Sequence, residues 1–91
     1  MQYPTPAKDL LAHALARVRP RLNPALPVTE RIRTLWAGVV AARDAAAADV
    51  IEADFLALAR DSGLVRDLGW HAEEDLRHVI RGAMLNQNPF G

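Results

Sequence analysis

Asp49–Leu85 reads DVIEADFLALARDSGLVRDLGWHAEEDLRHVIRGAML, and its patterning decides the fold. In the second half Ala72, Leu76, Val79, Ile80, Ala83 and Met84 recur at i, i+4, i+7, i+8, i+11 and i+12. That spacing gathers them into one apolar stripe on an α-helix over 71–85. In the first half Ile51, Phe55, Leu58 and Ala59 set a second stripe over 49–62, with Leu56 off to one side. Gly63 stands where a left-handed residue ends a helix, and Leu64 follows to close the hydrophobic contact. Two amphipathic helices are therefore expected, joined by an elbow over 63–70 that folds Leu68 and Trp70 back onto the core.

Upstream the same logic gives two more helices. Thr5-Pro6 is a helix start, because threonine caps free N–H groups and proline fits the first helical position. The helix over 6–19 carries Ala7, Leu10, Leu11, Ala14, Leu15 and Val18 on one face and stops at Pro20. Pro20, Pro24 and Pro27 make 20–28 an extended connector, pinned by Leu22, Leu26 and Val28. Thr29 is the next cap, and Ile32, Leu35, Trp36, Val39 and Val40 set a helix over 30–44 with Trp36 as the largest core anchor. Nothing in Ala45–Ala48 breaks a helix, but Asp49 with Glu52 has the spacing of a capping box, which favours a fresh start there. Residues 1–4 and 87–91 read as loose termini, with Phe90 free to dock.

The fold class expected is all-α: one small four-helix domain, an irregular bundle in which the last two helices form a hairpin over the first two. The composition agrees. Of 91 residues, 51% are hydrophobic, mostly Ala and Leu, and β-branched runs are short. Ala-rich faces bury little area, so a chain this short gains from a second copy or a partner.

Composition also excludes chemistry. There is no cysteine, hence no disulfide or thiolate site. The longest apolar run, Leu35–Ala42, is too short to cross a bilayer. Leu10–Ala16 resembles a signal-peptide core only faintly, because His13 interrupts it and Asp9 precedes it. A cytoplasmic protein without membrane contact is expected. The use of arginine over lysine (Lys8 alone) together with the alanine load suits a GC-rich bacterial genome. Ser62 is the only serine, and no nucleophile elbow, phosphate loop or dinucleotide fingerprint is present, so neither catalysis nor a cofactor is expected.

Charge is balanced overall but divided along the chain. Seven basic side chains face two acidic ones through Arg43, a balance of +5, and four face nine from Asp44 onward, −5. The simpler reading is that the two halves complement each other within the fold or between subunits. The sharper one makes Arg17, Arg19, Arg21, Arg31 and Arg33 a phosphate-binding surface.

Two further constellations stand out. His71, Glu74, Asp75 and His78 share one helical face at offsets 0, +3, +4 and +7, a weak metal-ligand set. Acidic residues in a first turn suit the helix dipole without any metal, so no metal is expected there. Ala59–Leu64 (ARDSGL) resembles the helix-and-turn part of a helix-turn-helix. It departs from that motif because Val65–Trp70 intervenes and the next helix opens Glu73-Glu74-Asp75, which repels phosphate.

The function these readings favour is a small bacterial protein–protein interaction module, a regulator or adaptor without catalytic activity. It binds a protein partner and self-associates as a homo-oligomer through the helix around Trp36, Gly38 and Val40. The alternative is a nucleic-acid-associated regulator using the five N-terminal arginines.

Overall fold

In the computed structural model the structure describes residues 7–85, with side chains from Leu10 onward. The expected helix start at Thr5-Pro6, the loose termini and any docking of Phe90 lie outside the described residues. Five α-helices follow in order: α1 (Ala7–Val18), α2 (Val28–Ala42), α3 (Ala48–Asp61), the short α4 (Leu64–Leu68) and α5 (Ala72–Met84). Among the described residues there is no strand, so the domain is all-α, with four long helices as the periodicity predicts. The elbow differs from expectation by one short element, since Leu64–Leu68 closes a helical turn directly after Gly63.

α2 runs through the middle. It packs against α1 on one side and α5 on the other, while α3 lies on α5 and α4 bridges α2 and α3. Phe55 of α3 is the largest fully buried side chain, and Leu22, Leu35, Ile51, Leu64, Leu76 and Ile80 are fully buried with it in the core. Trp36 is therefore not the central anchor; it is half-buried on the flank of the core. α5 behaves as read: Ala72, Leu76, Ile80 and Ala83 are buried, with Val79 and Met84 half-buried beside them. α3 buries its expected stripe and Leu56 as well. Leu10 of α1, in contrast, is 48% exposed.

The face of α2 is rotated from the one its apolar residues suggest. Arg31, Leu35, Gly38, Val39 and Ala42 are buried, whereas Ile32, Trp36 and Val40 sit on the edge. Gly38 explains the rotation. A Cβ there would lie 2.4 Å from Val18 Cγ2 and 3.2 Å from Phe55 Cε1, so the missing side chain lets α1 and α3 close onto α2.

Helix ends follow the backbone more than the capping residues. α2 starts after Pro27, whose carbonyl accepts from Arg31 N at 3.1 Å, and Thr29 is already inside the helix. Proline's fixed φ presets that start. α2 and α3 are separate helices, but Ala47, not Asp49, is the N-cap of α3. Asp49 Oδ1 accepts from the neighbouring Val50 N at 3.0 Å and Glu52 is held by arginines of α5, so no capping box forms. The connector is not extended either. Pro20 opens a 3₁₀ turn, Arg19–Leu22, where its missing N–H costs nothing, and the Asn23 side chain closes the next turn onto Ala25 N. Leu22 is fully buried and Val28 packs at the core edge, whereas Leu26 is exposed.

Candidate functional site

The elbow between α3 and α5 is built around three residues with unusual backbones. Gly63 (φ +85°) ends α3 in the left-handed region, and its φ lets the chain re-enter a helix at once. Gly69 (φ +83°, ψ −137°) ends α4 in a conformation that glycine adopts most readily. His71 (φ +60°) begins α5 and is the only non-glycine with positive φ among the described residues. Between the last two stands Trp70, 89% exposed. The expectation that Trp70 folds onto the core is thus overturned; Leu68 does pack there. The departures from right-handed geometry on either side of Trp70 carry it away from the core. Its ring meets that of His71 edge-on, with centroids 5.1 Å apart at 79°.

Around the elbow the charged groups form short clasps. His71 Nδ1 lies 3.4 Å from Glu74 Oε2. Arg60 of α3 donates to Glu73 of α5, which holds that carboxyl below the ordinary glutamate range and raises the guanidinium. Arg77 and Arg81 of α5 both reach Glu52 of α3, at 3.4 Å and 2.9 Å. His71, Glu74, Asp75 and His78 are all exposed on α5, and among the described residues no three histidine or carboxylate side chains converge as metal ligands would. His13, on α1, lines a different surface.

The five N-terminal arginines do not form one surface. Arg31 is 3% exposed: its Nη1 donates to Asp67 Oδ2 at 2.8 Å and its Nε to the Leu26 carbonyl at 3.1 Å. It ties the connector and α4 to α2, and its hydrogen bond keeps the Asp67 carboxyl below the usual aspartate range. Arg19 borders a cleft of about 350 Å³ beside Pro24, Leu58 and Asp61. Arg17 and Arg21, with His13, rim a larger trough of about 560 Å³ between α1 and α2. Arg33 is exposed and carries an interaction of its own. Arg31–Asp67 is the one ion pair between the basic and acidic halves among the described residues, and no ion pair there involves Arg17, Arg19 or Arg21.

The α2 residues expected at an interface differ in exposure. Gly38 is buried against Val18 and Phe55, and Trp36 and Val40 are half-buried at the core edge. The helix-turn-helix likeness also changes: α4 follows Gly63 directly but is one turn long, with Leu64 buried and Asp67 spent on Arg31. Among the described residues no helix is long and apolar enough to cross a membrane. No family model matches the chain, and neither a curated protein nor a solved structure matches it.

Proposed function

We propose that the chain is a small helical protein–protein interaction module, a regulator or adaptor without catalytic activity, and that the Gly69–His71 elbow is its anchor. The supporting observation is Trp70, 89% exposed between two residues of positive φ. A tryptophan offers about 200 Å² of largely apolar contact area to a partner that covers it. Left in water, that area contributes nothing to the fold. The left-handed His71 that helps to present it costs about 1–2 kcal/mol. Large aromatic side chains that the fold leaves uncovered are the usual hot spots of protein interfaces. A nucleic-acid role is less well supported, because Arg31 is withdrawn into an internal tether and Arg19 lies on another cleft than Arg17 and Arg21.

The test is affinity capture from a bacterial lysate with nuclease present, comparing the tagged protein with its Trp70→Ala variant. The expected result is a retained protein, a second copy of the chain included, that survives nuclease and is lost with Trp70→Ala. Retention of nucleic acid alone, or of the same proteins by both forms, overturns the proposal.

A further inference from the structure

The trough between α1 and α2 is a second surface, separate from the elbow. Its rim carries two arginines, Arg17 on α1 and Arg21 in the 3₁₀ turn that follows, with His13 one helical turn before Arg17. All three are exposed, and no ion pair among the described residues involves Arg17 or Arg21. Its apolar lining is mostly small, Ala14, Ala37, Gly38 and Ala41 with Val18. Leu10 stands 48% exposed at one end. The one hydroxyl in the trough, Thr34 Oγ1, is already spent on the Glu30 carbonyl at 2.9 Å.

We propose that this trough docks an acidic amphipathic helix of a partner protein. Apolar side chains of such a helix would seat over Ala14, Ala37 and Ala41 and against Leu10, while its carboxylates run alongside Arg17 and Arg21. A second helix laid along α1 and the 3₁₀ turn passes both arginines. A small anion would use the arginines but not the apolar floor. Among the described residues that line the trough, a nucleic acid would find no aromatic side chain on which to stack a base. A second copy is disfavoured by charge, because a twofold axis through the trough would set Arg17 and Arg21 against their own counterparts. The described helices of this chain do not supply the ligand either. The exposed face of α5 mixes Glu74 with Arg77 and Arg81, and the apolar stripe of α3 is buried.

The inference rests on the reading of the chain as an interaction module, and the experiment keeps the two apart. A displayed library of helical peptides of about 18 residues, five turns, with an apolar stripe and randomised flanks is selected on the full chain. The expected winners carry Asp or Glu at i, i+4 spacing beside small apolar residues, and they shift backbone amide resonances of residues 10–21 and 34–41. Arg17→Glu with Arg21→Glu weakens them at least about tenfold, and added salt weakens them too. Trp70→Ala leaves them unchanged. Ala37→Leu, which fills the floor without altering charge, is the second variant and also weakens binding. Winners without acidic preference, resonance shifts confined to the elbow, or affinity unmoved by both trough variants overturn the inference. So does displacement of the peptide by a short DNA duplex or by inorganic phosphate at lower concentration than the peptide itself.

Discussion

Replacing Gly38 with alanine tests the packing of the three helices that meet there, and two opposing effects set its sign. In an exposed helix interior the change would stabilise by about 1 kcal/mol, because alanine is the better helix former. Here the new methyl carbon would start 2.4 Å from Val18 Cγ2 and 3.2 Å from Phe55 Cε1, where carbon atoms rest at about 3.5–4.0 Å. Val18 is β-branched and helical, so its χ1 is stiff and α1 itself must retreat by about 1 Å. Overpacking of this kind costs about 1–3 kcal/mol. The net effect is destabilisation by about 1 kcal/mol, a fall in Tm of about 4–8 °C for a domain this size. Thermal unfolding followed by circular dichroism at two protein concentrations reads it. The fall should be the same at both, because the contact is internal. Val18→Ala should relieve the clash, so that the double variant loses less than the sum of the single ones. A Gly38→Ala protein stabilised by about 1 kcal/mol, or one whose loss depends on concentration, would refute the account of α2.

Three further outcomes are expected. Asp67 has its folded pKa lowered by Arg31, so the pair's stabilisation is fully present above the unfolded aspartate value, about 3.9, and is lost as pH falls through the folded value below it. Urea midpoints of the native protein and Asp67→Asn should therefore differ by a constant amount above about pH 5 and converge in more acid solution; a difference that persists unchanged into acid would contradict the tether. His71→Gly relieves a left-handed residue and should stabilise by about 1 kcal/mol, seen as a rise in Tm, while Trp70→Ala should change stability by less than about 0.5 kcal/mol. Phe55→Ala removes the largest buried side chain and should cost about 3–5 kcal/mol, enough to leave much of the protein unfolded by circular dichroism at room temperature.

What could be read from the sequence was periodic. The stripe of α5 and the break at Gly63 depend on local spacing and on one glycine, and both are in the structure. The burial of Arg31 was hidden because its partner Asp67 lies 36 residues away, and a formal charge reads as surface until the fold supplies a counter-ion. Gly38 is readable as a point of close helix approach, and α1 and α3 do close there, but hydropathy treats glycine as neutral and so does not show that it shares the buried face with Leu35. Trp70 was misplaced for a backbone reason. Its direction follows from positive φ at Gly69 and His71, and histidine gives no sign of that conformation. The caps at Thr29 and Asp49 failed in the same way, because Pro27 and Ala47 already set the backbone that begins each helix.

Trp70 stands in water until a partner covers it, and tryptophan emission measures this directly. Trp36→Phe leaves Trp70 as the single tryptophan. The free protein should then emit as a hydrated indole, with acrylamide quenching close to that of the unfolded chain. Adding the protein retained in the capture experiment should shift the emission to the blue and shield it from the quencher. A blue, shielded emission in the free protein would place Trp70 in the core, and an emission unchanged at saturating partner would remove the elbow from the interface.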